Sequence, residues 1–273
     1  MSITGKIKKA VAIAESKAEK TFTGEQGIPV HYIFRKRRSR ILLVVFSALN
    51  SEGPRYSYLS VTRFLKMNQL FIRDDFAGLG TYYLGPDRSD SVESEVLDLI
   101  GRTAAAAGAE HIVFAGSSKG GTAALFFGLQ FPGAVIVSAA PQYYIGDYIQ
   151  SVKKLHPSVP YILGKTAGEM TREDIGWLNT RVSEKIRTDK HADSQKCHIH
   201  CSSKDSTFEL HVQPLLKDLE EAAIRTELDL GSYEEHFEVK NHFPGFLRHV
   251  LSEISDSRTG RDDPARSKGR GTE

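Results

Sequence analysis

Apolar residues fall into two patterns along this chain. Short unbroken runs (ILLVVFSAL from Ile41, HIVFAG from His111, AVIVSAAP from Ala134) read as strands buried on both faces. Between them lie stretches where apolar positions return every three or four residues. In Ser91–Ala107 this spacing puts Val92, Val96, Leu99, Ile100 and Thr103 on one side, which predicts a helix closed by Gly108. Further helices are expected at about Tyr58–Met67, Lys119–Phe131, His211–Ala223 and Gly245–Ile254. Further strands are expected at Gln69–Asp74, KCHIHCSS and TELDLGSY. Strands alternating with helices predict an α/β fold in three layers, a mostly parallel central sheet with helices on both faces.

Three local readings refine this picture. IPVHYIFRK and ILLVVFSAL, joined by the basic turn RRSR, read as a hairpin. The alternation lapses over 142–190, which has helices but no clear strand and reads as a small helical cap inserted over one edge of the sheet. Residues 1–27 form a polar, lysine-rich helix or arm, and 28–254 form the domain. Residues 255–273 have no large apolar side chain and are expected to be disordered.

Composition narrows the function. The 273 residues are 40% hydrophobic and 26% charged, enough for a sizeable core. A net charge of +2 argues against nucleic acid or an anionic membrane as the main partner. The basic cluster Arg35–Arg40 has no aromatic stacking platform beside it. No apolar run is long enough to span a membrane, and Ala10–Ala14 is too short for the core of a signal peptide. Two cysteines, Cys197 and Cys201, make no disulfide framework. A cytoplasmic protein is expected; nothing here sets its oligomeric state. The cluster Cys197, His198, His200 and Cys201 invites a metal, but strand periodicity sends the cysteines and histidines to opposite faces.

The segment HIVFAGSSKGGTAALFFG carries the chemistry. Gly116-Ser117-Ser118-Lys119-Gly120 fits G-x-S-x-G, with an apolar strand entering and a small-residue helix leaving. That setting suits a serine nucleophile on a sharp turn, whose neighbours two residues away must be small. A nucleophilic serine needs a base, and the base an orienting acid. On such sheets the chain order is serine, acid, histidine. Asp205, beyond KCHIHCS, is the favoured acid, with Asp147 as competitor. His236, in the loop after the last strand, is the favoured base, with His242 as competitor. The oxyanion would be met by the N–H of Lys119 and that of Ser47 or Ala48. No metal or organic cofactor is required.

The segments LLVVFSALN, RYSYL, DDFAGLGTYYLG, GSSKGGTAAL and SAAPQYYIGDY resemble the α/β-hydrolase superfamily over about 28–254. Within it they resemble hydrolase-like proteins of bacterial capsular polysaccharide biosynthesis, and more distantly accessory-secretion acetyltransferase-like proteins. The resemblance implies a Ser-His-Asp triad at Ser118, His236 and Asp205. It further implies an esterase or acyltransferase acting on a small-molecule or glycan ester. A non-catalytic glycan-assembly or export factor that kept the fold is the alternative.

Overall fold

The structure, a computed structural model, describes residues 17–50, 53–78, 80–188 and 191–259. Most of the expected arm (1–16) and tail (260–273) lies outside the described residues. The strands are β1 (Glu19–Phe22), β2 (Val30–Arg35), β3 (Ile41–Phe46), β4 (Asn68–Ile72), β5 (His111–Ser117), β6 (Val135–Ala139), β7 (Lys196–Ser202) and β8 (Arg225–Gly231). They form one sheet in the order β1-β2-β4-β3-β5-β6-β7-β8. β2 runs antiparallel to both its neighbours, β1 and β4, and every pairing from β4 to β8 is parallel.

The expected hairpin does not form, because β4 lies between β2 and β3. Every residue of β3 is buried, so it needs a neighbour on each edge and cover on each face. β2 is only partly buried and suits a place farther out. Within the expected arm, Glu19–Phe22 pairs with β2 as the outermost strand.

One face is covered by α1 (Ser91–Ala107), α2 (Lys119–Gly128), α5 (Arg172–Thr188) and α6 (Gln213–Glu221); α5 packs on α2 and α6, and Lys185 ion-pairs with Glu93 of α1. The other face carries α7 (Val239–Thr259), packed over β5, β6 and β7. The predicted α1 is realised, and Gly108 ends it in the left-handed conformation at φ 62°. Around Tyr58–Met67 there are turns instead of a helix. Gln69 Nε2 donates to the carbonyls of Thr62 (2.9 Å) and Leu65 (3.3 Å), taking acceptors a continuing helix would use. These turns share the face of α7, with the Tyr58 and Phe243 rings 5.2 Å apart.

Between β6 and β7 come α3 (Ile145–Ser151), a 3-10 segment (Lys153–Ser158), α4 (Val159–Leu163) and α5. This insertion joins two interior strands of the sheet, β6 and β7. Within it α3 packs on α5, which packs in turn on α2 and α6. No helix among the described residues is long and apolar enough to cross a membrane.

Candidate active site

Ser118 is the single residue between β5 and α2, and it sits at φ 52°, ψ −126°. A non-glycine residue there costs about 1–3 kcal/mol and persists only where its surroundings hold it. Its N–H donates to Ala139 O at 2.8 Å, and its carbonyl accepts from Thr122 N at 3.0 Å. The flanking glycines are steric requirements. A Cβ on Gly116 would stand 2.1 Å from Gly120 O, and one on Gly120 would stand 2.7 Å from Phe46 O.

Ser118 Oγ lies 2.9 Å from His236 Nε2, and His236 Nδ1 lies 3.0 Å from Asp205 Oδ2. The histidine opens a short turn after β8, held by a capping box between Glu235 and Glu238. Asp205 stands in the loop after β7. Burial pushes its carboxyl pKa up, but the hydrogen bonds from His236 and the Thr207 N–H outweigh that and hold it below the ordinary value. An ionised Asp205 accepts a hydrogen bond from Nδ1–H, which leaves the Nε2 lone pair facing the serine. The competitors lie elsewhere. Asp147 is on α3, exposed, and His242 stacks on Tyr233 at 4.8 Å between ring centroids.

Gln142 also reaches the serine, and sequence reasoning missed it. Its Nε2 donates to Ser118 Oγ at 3.0 Å and to Ala140 O at 3.2 Å, and lies 3.3 Å from His236 Nε2. Ala140 O can only accept, which fixes the side-chain amide's orientation. The serine oxygen therefore accepts from Gln142, and its own proton is directed to His236. The available signal was positional: Gln142 follows β6, the strand next to β5, at the end where Ser118 emerges.

The expected oxyanion donors are differently placed. Lys119 is the first residue of the buried helix α2, so its N–H is among those that helix geometry leaves unpaired. Ser47 N donates to Tyr83 OH at 2.9 Å, and Ala48 N donates to Ser57 Oγ at 3.0 Å. The Lys119 side chain turns inward, with Nζ 2.6 Å from Asp74 Oδ2 and 3.5 Å from Ser47 Oγ. Burial lowers its pKa, and the adjacent carboxylate pulls it back up. Asp74 also accepts from Thr81 N at 2.8 Å, so one carboxylate ties Thr81 to the residue after Ser118.

No protein-family model matches the sequence, and no curated protein matches it significantly. Solved structures do. A capsule O-acetyltransferase of Neisseria meningitidis serogroup A superposes with a TM-score of 0.68 at 21% identity, over 87% of this chain and 99% of that one. The Gap123 glycosylation-associated complex of Streptococcus agalactiae gives 0.69 at 17% identity, over 86% of this chain and 46% of that one. The fluorophosphonate-binding serine hydrolase FphF of Staphylococcus aureus gives 0.59 at 12% identity, over 86% and 96%. This chain has the α/β-hydrolase fold.

Two cavities flank His236. One, of about 780 Å³, reaches Ser118 and is lined by Arg55, Tyr56, Tyr58, Lys154, Phe237 and Lys240 among others. The second, of about 900 Å³, is lined by residues that include Tyr144, Asp147, Leu210, His211 and Lys217. Tyr148 and His236 belong to the walls of both.

The cysteine–histidine cluster on β7 is tied up within the sheet. His198 Nδ1 lies 3.0 Å from Glu227 Oε2 and His200 Nδ1 2.6 Å from Asp229 Oδ2, each pair in register across β7 and β8. Both cysteines are buried. Among the described residues no three His, Cys, Asp or Glu side chains are grouped to hold a metal ion.

Proposed function

We propose that this protein is a serine esterase or acyltransferase working on an acyl or acetyl ester, with a carbohydrate as the alcohol, in surface-polysaccharide metabolism. The observation carrying this reading is the unbroken line Ser118 Oγ–His236 Nε2–Asp205 Oδ2, set on a strained strand–helix turn. The carbohydrate draws support from the likeness to a capsule O-acetyltransferase.

In the reaction, His236 takes the Ser118 proton as Oγ attacks the ester carbonyl. Asp205 stabilises the imidazolium that results. The Lys119 N–H meets the developing oxyanion from the start of α2. Of the two candidate partners, Ala48 is the better second donor. Its N–H is covered by the hydroxyl of Ser57, a cavity-lining side chain that an entering carbonyl oxygen can displace. The Ser47 N–H is held by Tyr83, whose ring is fully buried. The alcohol leaves with the proton from His236, and water or a sugar hydroxyl then attacks the acyl-serine.

One observation favours a second reading, a non-catalytic glycan-assembly or export factor. Both candidate second donors, Ser47 N and Ala48 N, are already hydrogen-bonded within the protein.

Labelling with a fluorophosphonate probe separates the two. Labelling of the wild-type protein that disappears in Ser118→Ala, and falls sharply in His236→Ala but not in His242→Ala, is expected for the enzyme. A folded wild-type protein that takes no label would leave the binding-factor reading standing.

A further inference from the structure

We infer that the Tyr148 hydroxyl is a further catalytic donor, hydrogen-bonding to the oxygen that leaves the acyl carbon and to the one that later arrives. This inference rests on the acyl-transfer reading above. Tyr148 and His236 are shared by the walls of both cavities, and their ring centroids are 6.2 Å apart. A group reaching the imidazole from either cavity therefore passes the phenol as well. The phenol is half-buried and held in place by the insertion. A Cβ on Gly146 would stand 2.5 Å from Ile175 O, and the Asp147 N–H donates to Asn179 Oδ1 at 3.1 Å, so α3 is clamped on α5. The start of α3 is tied to His211, whose Nδ1 accepts the Tyr144 N–H at 3.2 Å. The Tyr148 ring stands edge-on to the His211 ring, 5.8 Å between centroids. Burial and the Asp205 charge push the phenol pKa up, against a smaller lowering by the Ser118 hydroxyl. At neutral pH Tyr148 is thus a donor beside the nucleophile.

The side on which Tyr148 lies selects the oxygen it serves. A tetrahedral carbon on Ser118 Oγ carries two other oxygens. The oxyanion faces the Lys119 N–H at the start of α2. The alkoxy oxygen must face His236 Nε2 to receive its proton, and Tyr148 is on that side. In the first half-reaction Ser118 Oγ bonds to the acyl carbon and gives its proton to His236. The bond from that carbon to the alkoxy oxygen breaks, and the oxygen leaves with the His236 proton. Tyr148 keeps its own proton, directing it at the alkoxy oxygen while negative charge builds there. In the second half-reaction the incoming hydroxyl takes the same place, gives its proton to His236 and bonds to the carbon. Ser118 Oγ then leaves with that proton.

A donor at the leaving oxygen helps more as that oxygen becomes more basic. The test is a series of acetate esters with increasingly basic leaving oxygens: p-nitrophenyl, phenyl and trifluoroethyl acetate. For each, kcat/KM of the full chain is read from release of the alcohol. Tyr148→Phe should lose rate with every ester, and about tenfold more with trifluoroethyl than with p-nitrophenyl acetate, the effect of one hydrogen bond to a charged oxygen. With 3-fluorotyrosine at position 148, a stronger donor of nearly the same shape, the ratio should move the other way. Equal losses across the series, or no loss, overturn the inference, because a donor to the oxyanion or a packing residue acts on all three esters alike. If Tyr148→Phe does not fold, the fluorotyrosine protein decides, and an unchanged ratio there overturns the inference by itself. Wild-type protein that none of the esters acylates brings down the acyl-transfer reading and this inference with it. Wild-type turnover with a flat ratio brings down this inference alone.

Discussion

The ammonium of Lys119 lies 2.6 Å from the carboxylate of Asp74, and both side chains are withdrawn from solvent. The residue that follows the candidate nucleophile is thus anchored to the loop after β4, and through Ser47 Oγ to the loop after β3. Removing one partner of a buried pair strands the other. Asp74→Asn is expected to lose about 3–5 kcal/mol of stability. The double variant Asp74→Asn/Lys119→Met keeps an acceptor for the Thr81 N–H and buries no charge, so it should lose much less. Urea unfolding of the wild type, both single variants and the double variant measures this coupling.

Gln142 gives a second prediction, about rate. If its amide keeps the Ser118 proton pointed at His236, Gln142→Ala should slow fluorophosphonate labelling about fivefold, the equivalent of one hydrogen bond of ~1 kcal/mol. Gln142→Glu should slow it further, because a carboxylate would compete with His236 for that proton. Second-order labelling rates, with circular dichroism to confirm folding, test the order wild type, then Ala, then Glu. Equal rates for all three would remove Gln142 from the site.

A third prediction concerns pH. Burial pushes the pKa of His211 down to about 4 from 6.5, and its Nδ1 accepts the Tyr144 N–H at 3.2 Å, which requires the neutral ring. Between these values the unfolded chain binds a proton that the folded chain refuses. The stabilisation is therefore complete above about pH 6.5 and is lost as pH falls toward 4, by up to ~3 kcal/mol. His198, also lowered by burial, adds to the same trend. Denaturant midpoints at pH 7.5 and 5 should differ in the wild type and differ less in His211→Gln.

Two glycines should respond in opposite directions. Gly116→Ala drives a Cβ to 2.1 Å from Gly120 O, a backbone atom that cannot move without opening the turn. It should cost more than about 3 kcal/mol or prevent folding. Gly101 is exposed within α1 with nothing within 4 Å of an added Cβ, so Gly101→Ala should stabilise by about 0.5–1 kcal/mol. Thermal melts of the two variants against the wild type test both.

What the sequence disclosed was local. The turn at Ser118 was legible because glycine spacing, an apolar run and small residues all act within a dozen positions, and α1 because its period and end signal agree. Strand partners were not legible. β2 and β3 are adjacent in sequence and look like a hairpin, but β4, some twenty residues later, competes for the edge of β3 and takes it. β1 is four residues long with two charges, and only pairing with β2 makes it a strand. At the site, chain order favoured His236, which does adjoin Ser118, and Asp205, which adjoins His236. The occupation of the Ser47 and Ala48 N–H groups depends on side chains of Tyr83 and Ser57, which no periodicity reports. Gln142 has no motif at all; its relevance comes from the parallel register of β5 and β6.

That register has a consequence for the chain as it is made. Ser118 and His236 are 118 residues apart, and the histidine follows the last strand of the sheet. A growing polypeptide therefore displays its serine long before His236, the base in the proposed reaction, has been made. On the proposed function, any fragment ending before β8 would carry the hydroxyl as an inert group. Reactivity at Ser118 would appear only when the whole sheet has closed, so a covalent probe for that serine doubles as a probe for the finished fold.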